Sequence, residues 1–73
     1  MLYAVIQNEL KALDPLSVTG VYADVFKLNK IDARSKVIKR TKGIIAFGLE
    51  EFVADQLVYR LMELNYNCRK LPI

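Results

Sequence analysis

Between Leu49 and Leu64 the residues Leu49, Val53, Leu57, Leu61 and Leu64 recur at helical spacing, and Ala54 and Val58 widen the stripe. A helix with one apolar side must bury that side against a second layer, so this segment restricts a 73-residue chain to a few two-layer architectures. Gly48 is placed to act as N-cap, and Glu50 and Glu51 suit the positive end of the helix dipole. Asn65 to Asn67 supplies the stop, because Asn tolerates the left-handed backbone that ends helices. The remaining Cys68 to Ile73 reads as a short terminal strand.

The covering layer is sought upstream. Two runs, Val18 to Lys30 and Ser35 to Phe47, are rich in Val, Ile, Tyr, Phe and Thr and are joined by Ile31-Asp32-Ala33-Arg34. They read as a long antiparallel hairpin. Before them, Leu2, Val5, Ile6, Leu10 and Leu13 fit a three-turn helix ended at Asp14-Pro15, since proline disfavours helix in the residue before it. The alternative makes Leu2 to Gln7 a buried strand followed by a short helix, which gives the order βαββαβ of a split-βαβ sandwich. Either order yields one α+β domain over residues 1–73, with two layers. The preferred reading is N-terminal helix, hairpin, long helix and terminal strand.

Composition supports a folded domain: 53% of residues are hydrophobic and 26% charged, outside the range of disordered chains. So much apolar surface on so short a chain also favours self-association. The single cysteine, Cys68, allows no internal disulfide, and no charge-free run approaches the roughly 20 residues of a membrane helix. These features point to a cytoplasmic protein with no membrane partner.

Charge is unevenly spread. Residues 27–42 contain seven of the eleven basic residues against one acid, Asp32, so this window carries +6 and the rest of the chain −3. A helix of about 16 residues is about 24 Å long and shelters roughly seven residues of strand. Two strands of about 12 residues would therefore overhang it by roughly 16 Å. The overhanging end is the basic one, with Lys27, Lys30, Arg34, Lys36, Lys39, Arg40 and Lys42. A basic ribbon can enter the DNA major groove, track RNA phosphates or meet an acidic protein surface. It can equally be a solvated arm whose charges only prevent edge pairing.

A second candidate surface lies on the long helix. Phe52 and Tyr59, with Gln56 and Glu63 between them, project away from the side that carries Ala54 and Leu61. This face either receives the N-terminal helix or forms a protein interface, a homodimer included. Tyr22 and Phe26 read as core beneath a helix, or as stacking platforms on an open sheet. On that sheet face Asp24 would be a buried acid in need of a partner. Cys68 precedes Arg69 and Lys70, whose charge could activate the thiol, yet a lone cysteine in a strand is the pattern of a small buried hydrophobe.

Catalytic groups are scarce. The chain has no histidine, and Glu50 and Glu51 are adjacent and diverge on the helix, so no zinc site, His-based triad or shared carboxylate pair is expected. Gly43 and Gly48 lack the Gly-Lys-Ser/Thr ending of a phosphate-binding loop. The expectation is a small non-enzymatic binding module without cofactor or metal. Its basic hairpin, residues 27–42, would contact nucleic acid or a ribonucleoprotein. The alternative is a protein-interaction module, an adaptor or inhibitor, that uses the Phe52/Tyr59 face.

Overall fold

The computed structural model describes residues 1–9, 12–39 and 43–73, with the side chains of Ile38 and Lys39 also outside the description. The element order is β1 (Tyr3–Gln7), α1 (Pro15–Phe26), α2 (Lys30–Lys39), β2 (Ile44–Leu49), α3 (Glu51–Glu63) and β3 (Cys68–Pro72). The strands form one antiparallel sheet in the order β2-β1-β3. Three helices and this sheet make the two-layer α+β domain expected from the sequence.

The element assignment within that class is corrected at two places. The N-terminal segment is strand β1, as in the alternative reading, and the long hairpin does not exist. Its first half is helix α1, and its second half is divided between helix α2 and strand β2. Pro15 begins a helix instead of ending one. It occupies the first turn behind Asp14, which has extended dihedrals (φ −71°, ψ 115°) and accepts a 2.7 Å hydrogen bond from the Ser17 hydroxyl. Leu13 and Val18 are both buried in the core, at the positions of a hydrophobic staple around that cap. Val18, Val21, Tyr22, Val25 and Phe26 then supply an inward stripe at helical spacing.

Lys27 closes α1 in the left-handed conformation (φ 57°). Two residues later Asn29 caps α2. Its side-chain carbonyl accepts from the Asp32 backbone amide at 2.8 Å, and its side-chain amide donates to the Asp32 carboxylate at 3.2 Å. Ala33 and Val37, one turn apart, are the residues through which α2 enters the core. Among the described residues no ribbon overhangs the body, which measures 29 × 25 × 21 Å.

The C-terminal half matches the sequence reading closely. Ala54, Leu57 and Leu61 are buried on α3, and Asn65 adopts the left-handed conformation (φ 67°) at its end. Tyr66 donates its amide back to the Leu61 carbonyl at 3.0 Å, which completes the stop. Gly48 is not the N-cap of α3, which is Glu50. Gly48 lies in β2 with φ 76°, between the Val5–Ala46 and Tyr3–Leu49 pairs where the register shifts.

All helices lie on one face of the sheet, because Val5, Ile45 and Cys68 join the same core as Val18, Tyr22, Leu57 and Leu61. Two tyrosines fasten this layer. The Tyr22 hydroxyl donates to the Ile45 carbonyl at 2.7 Å inside the core, and the Tyr66 hydroxyl accepts the Asp14 amide at 2.7 Å. Ile45 falls at a second register shift, between the Val5–Ala46 and Ile6–Ile44 pairs. On the exterior, Lys70 of β3 bridges Glu51 and Asp55 of α3 at 2.8 Å each and lies 5.1 Å from the centre of the Tyr3 ring. Asp24 is exposed on α1 and pairs with Arg60 at 3.0 Å, so it is not a buried acid. No helix among the described residues is long and apolar enough to cross a membrane.

Tyr22→Phe removes one buried donor and leaves the Ile45 carbonyl without it, at a cost of about 1–2 kcal/mol. Thermal unfolding should show a midpoint lowered by several degrees with an unchanged circular dichroism spectrum. The Lys70 hydrogen bond, followed by its charge, holds the Glu51 carboxyl below its ordinary value of 4.5. A depressed carboxylate stabilises the fold fully above its unfolded pKa, and that contribution is lost as pH falls through the folded value. The melting midpoint of wild type should therefore drop more between about pH 5 and pH 3 than that of Lys70→Met.

Candidate interaction surface on the paired helices

Helix α2 scatters the cations that the linear sequence gathers. Lys30 and Arg34, four residues apart, share one flank of the helix and line a cleft of about 540 Å3 with Asp14, Leu16, Thr19 and Gly20 of the α1 side. Lys36 lies two residues beyond Arg34, about 160° around the helix, and faces elsewhere. Lys27 belongs to a different depression of about 480 Å3, between the end of α1 and α3, with Asp24, Asp55, Gln56, Tyr59 and Arg60. Lys39 is the last residue of α2, but its side chain lies outside the description, and Arg40 and Lys42 lie outside the described residues altogether. The structure thus joins Lys30 with Arg34 and separates both from Lys27 and Lys36.

Pairing distinguishes these cations from the others. Arg60 and Lys70 are held by carboxylates, and Arg69 donates to the Asn8 side chain at 2.9 Å. Lys27, Lys30, Arg34 and Lys36 are exposed, and among the described residues none of them makes an ion pair or side-chain hydrogen bond. Apolar side chains stand beside them. Leu16, on the rim of the cleft, is 85% exposed, and Ile31, next to Lys30 on α2, is 82% exposed. Sequence reasoning missed Leu16 and Ile31, because only a helical wheel of α1 and α2 turns them outward. The acid of the cleft, Asp14, has its pKa lowered chiefly by the hydrogen bond from Ser17. The Thr19 hydroxyl is buried in the cleft wall without a hydrogen-bond partner.

On α3, Phe52 and Tyr59 are 61% and 66% exposed, and Gln56 and Glu63 are exposed beside them. The N-terminal segment does not cover this face, since it forms the central strand on the other side of the core. Tyr22 and Phe26 are not stacking platforms. They meet edge-to-face at 5.4 Å, with Tyr22 buried and Phe26 packed against the core.

Among the described residues no three potential metal ligands come together. Burial raises the Cys68 thiol pKa, and its Sγ approaches the Val58 carbonyl at 3.9 Å, while neighbouring Lys70 is turned to Glu51 and Asp55. Thiol-reactive probes at neutral pH should modify Cys68 far more slowly in the folded protein than in urea, and mass spectrometry of timed aliquots measures the ratio. Compared with known proteins, the chain matches no family model and no curated sequence.

Proposed function

We propose that this domain is a non-enzymatic protein-interaction module whose α1–α2 face receives an acidic segment bearing apolar side chains. The observation that carries this reading is the association of two unpaired cations, Lys30 and Arg34, with the outward Leu16 around one cleft, with the exposed Ile31 next to Lys30 on α2. Large aliphatic side chains exposed to this degree favour an apolar counterpart, and the cations beside them favour carboxylates. Phosphate tracking alone would not call for Leu16 or Ile31. The dispersal of Lys27 and Lys36 to other sides of the body also supports a compact partner over a long polyanion.

A second reading, contact with nucleic acid or a ribonucleoprotein, is favoured by a different observation. Helices α1 and α2 are joined by the three residues Lys27 to Asn29, and the second helix carries the basic side chains. That order resembles the element pair with which many proteins enter the major groove. The α3 face, with Phe52, Gln56, Tyr59 and Glu63, is a separate candidate interface on either reading.

Fluorescence anisotropy separates these readings with three probes: a labelled peptide of alternating Glu and Leu residues, a poly-Glu peptide, and a duplex oligonucleotide. The Glu/Leu peptide should bind most tightly. Lys30→Glu with Arg34→Glu should weaken it about tenfold or more, and Leu16→Asp should weaken it as well, while Lys36→Glu leaves it nearly unchanged. Preference for the oligonucleotide, with affinity falling steeply between about 50 and 200 mM salt, would instead select the nucleic-acid reading. Absence of binding to every probe at low salt overturns both.

A further inference from the structure

The helices cover one face of the sheet, and the strand ladder places a second set of side chains on the other. In β1 and β3 the pairs Tyr3–Pro72 and Val5–Lys70 point to the helical layer, as the burial of Val5 and the contacts of Lys70 with α3 establish. The alternate pairs, Ala4–Leu71 and Ile6–Arg69, therefore point away. The Ile73 amide donates to the Leu2 carbonyl at 3.0 Å, so the ladder continues and adds Leu2 and Ile73 to the outer face. On β2, Ile44 opposes Ile6, and Phe47 stands outward between Ala46 and Leu49, both of which pack against the core.

This outer face is apolar and large. Phe47 and Ile73 are 73% and 69% exposed, and Leu2, Ile44 and Leu71 are exposed with them. Their combined apolar area is on the order of 500 Å2, near the top of the range for the largest patch on a monomer. Buried on two copies, that area amounts to about 1,000 Å2 in total, the lower end of specific interfaces. Among the described side chains of the ladder that point this way, the charged one, Arg69, is engaged by Asn8.

We infer that two copies of this chain associate through these sheet faces as a two-fold dimer. Three properties of the face favour a second copy as its occupant. Its area fits a dimer interface. Its charge also fits: the described unpaired cations, Lys27, Lys30, Arg34 and Lys36, belong to the helical layer, so face-to-face sheets keep those of the two copies apart. Its relief is self-complementary, with the small, well-covered Ala4 at the centre and Phe47 and Leu71 on opposite edges. A two-fold axis parallel to the strands lays β2 of each copy over β3 of the other, so Phe47 of one meets Leu71 of the other twice. The inference is independent of the partner assigned to the α1–α2 cleft, because the two surfaces share no residue.

Sedimentation velocity of the full chain from about 5 to 500 μM tests it, a range that reaches the weaker association of a small interface. Wild type should reach twice the 8.4 kDa chain mass. Phe47→Asp should weaken dimerisation about a hundredfold or more, because each substitution strikes the interface twice. Leu71→Lys serves as a second variant on the opposite edge, and Phe52→Asp with Tyr59→Asp should leave the dimer intact. Circular dichroism of each variant verifies folding. A monomeric wild type throughout the range overturns the inference and leaves the face to another protein segment. A dimer that survives both sheet substitutions, or is lost only with the α3 pair, overturns it too.

Discussion

The hydroxyl of Tyr22 is the contact on which the arrangement of layers depends. It reaches from the middle of α1 to the Ile45 carbonyl of β2, at a point where the strand register shifts. A buried carbonyl at an irregular point of a sheet needs a donor, and a tyrosine supplies one without bringing a charge into the core. The same ring meets Phe26 edge-to-face, so one side chain fixes both the helix and the edge strand. Tyr66 makes the complementary tie from the end of α3 to the start of α1. The start and the body of α1 are thus each located by an element distant in sequence.

The parts legible in the sequence are those whose signals agree at every level. In α3, the Leu57–Leu61 stripe, the acidic first turn and the Asn65 stop point to one answer, and the short strand after it follows from the limit they set. In residues 18–47 the signals conflict. Valine, tyrosine and threonine have high strand propensity, and Val21, Ala23 and Val25 alternate in the manner of a half-buried strand. The stripe Val18-Val21-Tyr22-Val25-Phe26 has the helical period in the same residues. Asp14-Pro15 and Asn29-x-x-Asp32 decide between them, since both are helix-start signals. Tertiary burial then outweighs propensity. α2 is the hardest element to read, because among its described side chains only Ala33 and Val37 give it an inward side.

The candidate surfaces were legible as composition but not as geometry. A window of +6 is visible in the sequence, yet whether it forms a patch depends on the period of the backbone that carries it. On a ribbon these charges would line one arm. Among the described residues they divide, and the pair that remains together on α2, Lys30 and Arg34, acquires cleft neighbours from the α1 side that lie ten or more residues away in sequence. Phe52 and Tyr59 are exposed on α3, and the N-terminal segment expected as their cover is elsewhere.

The central position of β1 has a consequence for how the chain acquires its structure. β1 is made first but pairs with β2 and β3, and its ladder with β3 joins Tyr3 to Pro72 across nearly the whole sequence. Neither set of backbone partners exists until the helices between them have been synthesised. The segment that sits deepest in the sheet is therefore the one that waits longest, an apolar strand without a neighbour during translation. Helical pairing of α1 with α2 is local and can precede it, while closure of the sheet carries the largest loop entropy in the fold. Folding of this domain is in that sense a late event, set by the arrival of its last strand.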